Sequence, residues 1–318
     1  MRILLTGSSG WLGQTLVPRL KALGHEVVGI DPVASPHTLF VGSIADRALV
    51  HRAVAEHGIE AIIHSGALHK PDIERHQPEA FIEVNVQGTL NLLEEAVAQG
   101  VGRFVFTSTT SLMISQAIRD GDGHAAVWLD ETAGPLEPRN IYGVTKLAAE
   151  GLCRLYSREH GLNCAVLRTS RFFPEDDDTI NDVSGENLKA NELLYRRLTV
   201  EDAAEAHLVA LEKARGFDTF IVSAPPPFSR ADVEALKSDA ADVIARVFPE
   251  AVDLYAQRGW RLPASIGRIY DPSKAERLLG FRARTDFAAL LQAMRAGAPL
   301  PFAHDPDYVS PSTRLKHG

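Results

Sequence analysis

Two cysteines, Cys153 and Cys164, are the only thiols in 318 residues, which argues against a disulfide framework. Cys153 falls on a predicted helix and Cys164 on a predicted strand, so both read as buried thiols. Basic residues are in deficit: 33 Lys and Arg stand against 41 Asp and Glu, a net charge of -8. That balance argues against a broad nucleic-acid or membrane-surface footprint but leaves room for a local basic pocket around an anionic substrate. No apolar run approaches membrane-spanning length, and Met1 leads straight into the first predicted strand, leaving no room for a signal peptide. A soluble, cytoplasmic protein is the expectation. The histidines are dispersed without metal-ligand spacing, so no metal site is expected. The Gly-x-Ser-x-Gly elbow of a Ser-His-Asp hydrolase is missing. There are no internal repeats and no low-complexity segments.

What is present is ordinary globular composition, 45% hydrophobic and 23% charged, ample for a large core in one domain or two intimately joined ones. Short apolar runs alternate with helical patterns. Strands are predicted at Ile3-Leu4-Leu5, Glu26 to Ile30, Ala61 to His64, Phe104 to Ser108 and Cys164 to Arg168. Helices are predicted over Asp46 to His57, Val86 to Gln99 and Tyr142 to His160. This pattern predicts an α/β fold, a doubly wound parallel Rossmann sheet covered on both faces, with ligand at the carboxyl ends of its strands. Residues 1–168 form the dinucleotide-binding domain in this reading. Residues 169–318 form a smaller C-terminal α/β substrate-binding part interleaved with it. There Leu188 to Leu194 and Val200 to Ala214 read as helices and Thr219 to Ser223 as a strand. Pro174 to Asp178 reads as a solvated acidic loop, and the Pro-rich stretch from Ala298 as a loose tail.

Two motifs carry the chemistry. Thr6-Gly7-Ser8-Ser9-Gly10-Trp11-Leu12-Gly13 lies between a strand and a helical pattern, the context of a dinucleotide fingerprint. Gly7 permits the tight turn, Gly10 lets backbone N–H groups approach a pyrophosphate, and Gly13 lets the helix pack on the sheet. Asp31 ends the second strand, where a carboxylate accepts both adenosine-ribose hydroxyls and repels a 2′-phosphate, so NAD is favoured over NADP. The second motif is Tyr142-Gly143-Val144-Thr145-Lys146. Free Tyr, with a pKa of about 10, is a poor base at neutral pH. Tyr142 and Lys146 stand four residues apart, so an ammonium one helical turn away can stabilise the phenolate.

On these residues the chain resembles the extended short-chain dehydrogenases/reductases, the NAD-dependent epimerase/dehydratase family, from Met1 to about Gly280. The resemblance implies NAD as cofactor and a homodimer formed through the helix containing Tyr142. It implies that NAD contacts Gly7, Ser9, Gly10, Trp11, Leu12, Gly13, Asp31, Ser65, Gly66, Ala67, Asn85, Thr107, Tyr142 and Lys146. Ser43 and Ile44 match the segment that cups adenine, with Ser43 where the family usually has Asp. Within Thr107 to Ser111, the resemblance places Thr109 as the catalytic hydroxyl beside Tyr142 and Lys146, with Ser108 as runner-up. His64 reads as a satisfied strand-end histidine, and Asp202 as a scaffold residue.

The Asp-Glu pair that serves elimination in the family's sugar-nucleotide dehydratases is replaced here by Thr110-Ser111, which disfavours dehydration. The long insert ending in a basic, glycine-rich nucleotide grip is also missing, since Arg168 reaches Asp202 within about thirty residues. A small sugar-like partner, a free sugar or sugar acid, is therefore expected. Oxidoreduction at a secondary hydroxyl is the leading reading. Epimerisation of a nucleotide sugar through a transient ketone is the alternative, and a non-catalytic NAD-binding protein is the second. The candidate substrate contacts are His69, Lys70, Ser108, Thr109, Arg171, Asn187 and Lys189. An arginine can bind a carboxylate bidentately, so Arg171 suggests an anionic substrate; a salt bridge to Asp176–Asp178 is the equal alternative.

Overall fold

The computed structural model describes residues 1–173 and 183–303. Seven parallel strands form one sheet in the order β3-β2-β1-β4-β5-β7-β8. They are β1 (Arg2–Thr6), β2 (Glu26–Asp31), β3 (Phe40–Val41), β4 (Ala61–His64), β5 (Arg103–Thr109), β7 (Asn163–Thr169) and β8 (Phe217–Val222). The chain enters at β1, runs outward to β3, then returns to lay β4 on the other side of β1. That reversal opens a crevice at the carboxyl ends of β1 and β4. All four residues of β4 are buried, as a strand covered on both faces requires.

Each face has its own core. The Trp11–Ala22 helix turns Leu12, Leu16, Val17 and Leu20 onto one face, where the Val200–Lys213 helix joins it through Ala203, Ala206 and Ala210. The other face is covered by Arg47–Ala55, Gly88–Ala98 and the long Ile141–His160 helix, which bury Val50, Leu92 and Ala149 with Phe104 and Phe106. Asn140 starts the long helix by accepting the Gly143 N–H at 2.9 Å, and Gly161, with φ +70°, ends it.

A third core lies in the C-terminal part, where Leu193, Leu236, Ile244, Tyr255, Ile269 and Phe287 pack together. A two-stranded parallel sheet of β6 (Val127–Leu129) and β9 (Arg268–Tyr270) flanks it. Residues cross the 168/169 division both ways: β8 and the Val200–Lys213 helix serve the Rossmann layers, while β6 serves the smaller part. The predicted Val86 start of the fourth-strand helix moves upstream. Helical structure begins at Pro78–Phe81 and passes through a π-helical stretch, Ile82–Gln87, before Gly88–Ala98. Pro78 suits a first turn, and the wider π turn carries Asn85. The acidic stretch Pro174 to Asp178 and the tail beyond Ala303 lie outside the described residues.

Candidate active site

The glycine turn sits at the mouth of the crevice. Gly7 has φ +73°, open to glycine, and donates its N–H to the Ile30 carbonyl at 2.9 Å. A Cβ on Gly13 would stand 2.1 Å from the Gly7 carbonyl oxygen, so helix and turn can be this close only with glycine there. Gly10 is the N-cap of the Trp11–Ala22 helix and has no side chain to occupy its first N–H groups; the first turn carries no acidic residue. The positive helix end thus carries no capping side chain and no acidic residue to compete with a pyrophosphate. Ser9 is spent on the loop that shapes this end, its hydroxyl bonding the Val33 carbonyl at 2.5 Å.

Asp31, 8% exposed at the end of β2, accepts from the backbone N–H of Ser9 at 3.1 Å and of Val33 at 2.8 Å. Burial raises its pKa, and these two bonds oppose that rise. Two N–H bonds leave its oxygens further lone pairs for ribose hydroxyls. Ser43 is turned to its own loop, accepting the Ala45 N–H at 3.2 Å. Asn91 holds the carbonyls of Ile44 and Ala45 at 3.0 and 3.1 Å. Ser65 and Gly66 bond back to Thr6, at 2.7 and 2.9 Å, which seats the half-buried Ser65-Gly66-Ala67 segment against the glycine turn. An open helix terminus, a carboxylate at the second strand end and a small-residue floor are a donor set that fits NAD.

Asn85 ties this floor to the Ile141–His160 helix. Its amide exchanges two bonds with the Leu68 backbone, at 2.8 and 3.0 Å, and donates to the Thr145 hydroxyl at 3.1 Å. It lies within the π turn and caps no helix. His64 is a core group, held between the hydroxyls of Thr6 at 2.8 Å and Thr89 at 2.9 Å. Burial and the neighbouring Lys146 push its pKa well down, so it is neutral.

The structure brings Thr109, Tyr142 and Lys146 together at the end of β5. Tyr142 is 7% exposed, and the Thr109 hydroxyl is the hydrogen-bond partner of its phenol. Lys146 donates to the Thr107 carbonyl at 2.8 Å and lies 4.7 Å above the Phe106 ring. The Thr107 hydroxyl meets His207 at 2.7 Å, so Thr107 offers this site its carbonyl and not its side chain. Burial pushes Tyr142 up to about 12; the Thr109 bond opposes this and Asp72 adds to it. Burial also brings Lys146 down to about 7. In the free protein the expected Lys146 stabilisation of the phenolate is therefore outweighed by desolvation, and the phenol holds its proton at neutral pH.

The candidate substrate residues divide sharply. His69 is at the site, its ring 5.8 Å from Tyr142 and 5.6 Å from Phe173, centroid to centroid. Burial, with Lys146, lowers its pKa to about 4 against the pull of Asp72, so it is a neutral imidazole. Lys70 is exposed, at the start of the short helical turn after it. Arg171 stands just past β7 with its Nε 3.9 Å from Glu192, a fully buried carboxylate that also pairs with Arg196 at 2.6 Å and Arg197 at 2.8 Å. The alternative partner, Asp176–Asp178, lies outside the described residues.

Three expectations are corrected. Ser108 alternates to the opposite side of β5 from Thr107 and Thr109 and donates to Glu150 at 2.6 Å. Asn187 spends both ends of its amide on the Arg261 backbone, at 3.0 and 2.9 Å. Lys189 is 1% exposed and reaches the Ala303 carbonyl at 3.3 Å, within the C-terminal part. The sequence reading missed Glu150, Asp72 and Phe173. Glu150 had a signal, standing four residues after Lys146 on the same helical face. Asp202 is scaffold as expected, accepting the Arg284 and Thr285 N–H groups at 2.9 and 3.0 Å.

Among the described residues, no group of three or more His, Cys, Asp or Glu is placed to hold a metal, and no helix is long and apolar enough to cross a membrane. Comparison with known proteins agrees with this geometry. The chain is 33% identical over 173 residues to a UDP-glucose 4-epimerase of Rhizobium meliloti (strain 1021), covering 52% of this chain and 50% of that one. It is 29% identical over 181 residues to a uronate dehydrogenase of Pseudomonas putida (strain KT2440), covering 55% and 62%. The chain thus spans about half to three-fifths of the length of these relatives. A short-chain dehydrogenase/reductase superfamily protein from Agrobacterium tumefaciens, solved with bound NAD, shares the fold at a TM-score of 0.64 and 23% identity, over 93% of this chain and 98% of that one. Residues 3–222 match the family model, and the chain belongs to the NAD-dependent epimerase/dehydratase family, with NAD as its cofactor.

Proposed function

We propose that this protein is an NAD-dependent dehydrogenase that oxidises a secondary hydroxyl of a small sugar-like substrate, with a sugar acid as the leading class. The observation that carries the reading is the closure of the chain just beyond β7. Arg171 pairs in parallel with Arg197, its N–H on the Arg196 carbonyl at 3.3 Å and its carbonyl receiving the Leu198 N–H at 3.1 Å. Of residues 172–196, the described helix Gly185–Glu192 is committed to the C-terminal part through Ala190 in its core and Asn187 on the Arg261 backbone. That leaves little chain to floor a nucleoside diphosphate. Arg171, 27% exposed in its side chain, supplies a guanidinium suited to a carboxylate.

In this reading Tyr142 takes the proton from the substrate hydroxyl and Thr109 donates a hydrogen bond that holds the same oxygen. Lys146 supplies positive charge beside the phenol and a donor toward the nicotinamide ribose. His69, neutral and half-buried against Tyr142, can give or accept a bond to a neighbouring substrate hydroxyl. The Trp11 and Leu12 backbones and Asp31 hold the cofactor's pyrophosphate and ribose. Bound NAD would accept the hydride from the carbinol carbon, and its cationic ring would favour the phenolate. Association of two chains along the Ile141–His160 helix belongs to the same reading, and Val144, apolar and 48% exposed there, suits such a contact.

The test is NADH absorbance with purified protein, NAD, and a panel of free sugars, uronic and aldonic acids, and UDP- and GDP-sugars, beside Tyr142→Phe. NADH formed from an unactivated sugar or acid, and lost in Tyr142→Phe, is the expected result. No net NADH together with a new isomer of a nucleotide sugar by NMR would overturn it in favour of an epimerase, the reading that the likeness to the Rhizobium enzyme favours.

A further inference from the structure

Ser108, turned away from the reaction centre, points to a group the catalytic pair does not itself include. Its hydroxyl donates to Glu150 Oε1 at 2.6 Å, and Arg168 grips the same carboxylate through Nε at 3.0 Å and Nη2 at 2.7 Å. The Glu150 and Arg168 side chains are each 6% exposed. Ser108 and Arg168 lie opposite one another in the β5–β7 register. On the catalytic helix, Tyr142, Lys146 and Glu150 follow at successive intervals of four and share one face.

We infer that Glu150 is a positioning residue of the active site, fixing from below both Lys146 and the strand end that carries Thr109. The two residues before Thr109 are each clamped. The Thr107 carbonyl receives Lys146 at 2.8 Å, and Ser108 is held by Glu150 through its side chain and by the Thr169 hydroxyl through its carbonyl at 3.0 Å. A helix and a strand that must present a phenol and a hydroxyl to one substrate oxygen are thus joined one and two helical turns from the phenol. Stability alone does not call for this arrangement, because an apolar trio of similar volume is commonly as stable as a buried ion pair. An apolar trio would, however, lack both the directional bond to Ser108 and the charge.

The charge matters because of what surrounds Lys146. Its own helix offers Tyr142, Glu150 and Cys153; β4 offers His64, the following loop His69 with Asp72 beside it, and β5 the Thr107 carbonyl and the Phe106 face. Burial keeps the phenol and the Cys153 thiol protonated and both histidines neutral. On the helix that leaves Glu150, countered by Arg168 of β7, as the anion working against the desolvation of the ammonium.

This inference rests on Tyr142 and Lys146 being the proton-handling pair, and its test has a readout that needs no substrate. The ε-carbon signals of isotope-labelled lysine are titrated by NMR in the free protein, with Lys146 assigned by its loss in Lys146→Met. In Glu150→Gln the Lys146 midpoint should fall by about one pH unit. On any sugar acid that the wild type oxidises, kcat should drop roughly ten-fold with KM for NAD held within about two-fold, and the alkaline limb of the kcat profile should move to lower pH. Glu150→Gln/Arg168→Met, which leaves no unpaired guanidinium, should move the lysine midpoint in the same direction by less, since a cation is removed with the anion, and serves if the single variant does not fold. A folded variant of either kind with an unmoved Lys146 midpoint, or one losing only thermal stability, would overturn the inference. If no sugar acid is oxidised, the proposed function fails while the lysine titration still decides this point.

Discussion

The two ends of the strand-edge crevice are built by different means. At the cofactor end, short stretches of backbone make the site: a glycine turn, an uncapped helix start and a strand-end carboxylate, all within residues 6–31. At the other end, which the proposed function gives to substrate, paired side chains make it. Arg171, Glu192 and Arg197 interlock there, with Arg197 also holding the Phe173 carbonyl that backs the His69 wall. The first design depends on backbone shape and tolerates little change in it. The second depends on paired buried charges. Between the ends stand Tyr142, Lys146 and Thr109, which belong to neither.

The sharpest test of that division is Tyr142→Phe. It removes one hydroxyl from the junction and should cut turnover by roughly 10³-fold or more. The melting temperature and NAD affinity should stay near wild type. A residual rate within ten-fold of wild type, to order of magnitude, would mean that the proton leaves by another group.

At the substrate end, Glu192→Gln leaves Arg171, Arg196 and Arg197 around a neutral amide in a fully buried setting. Unfolding in denaturant should show a loss of about 3 kcal/mol, because uncompensated buried charge is costly. NAD binding to the folded fraction should be unchanged. Weakened NAD binding would show that the two ends are mechanically one.

Beneath the sheet, His207 is fully buried between Thr107 and the Ala203 carbonyl, with burial lowering its pKa from 6.5 to about 4. Its sign follows from linkage. The unfolded chain binds a proton below pH 6.5 that the folded chain refuses until about pH 4, so stability falls as the pH drops through that window. Between pH 7 and 5 the cost is about 2 kcal/mol. His207→Gln should flatten that part of the stability curve, and an unchanged slope would assign the acid sensitivity to His64 and His69 instead.

The same contrast explains what could be read from sequence. Every strand from β1 to β7 in the main sheet except the two-residue β3 had a continuous apolar run to announce it, and the glycine turn and Tyr142/Lys146 lie within single turns of chain. Local spacing encodes such features. Ser108 was misjudged because a run of five hydroxyl residues does not reveal which face each takes; pairing with Glu150, 42 residues on, decides it. Asn187 and Lys189 were misjudged because their partners, Arg261 and Ala303, lie 74 and 114 residues away. A polar side chain near a site in sequence is free for substrate only if no distant backbone group needs it.

Asn187 puts that last rule to the smallest but most discriminating test. Its amide closes a two-bond ring with the Arg261 backbone, and Asn191 adds a third bond to the same carbonyl at 3.0 Å. Asn187→Ala leaves the Arg261 carbonyl still paired but orphans its N–H, so the expected loss is about 1 kcal/mol. Thermal unfolding should register it, while kcat/KM for the oxidised sugar stays within about two-fold of wild type, since no transition-state contact is removed. A larger fall in kcat/KM at unchanged stability would return Asn187 to the substrate and make the Gly185–Glu192 helix a wall of the active site rather than a brace of the C-terminal core.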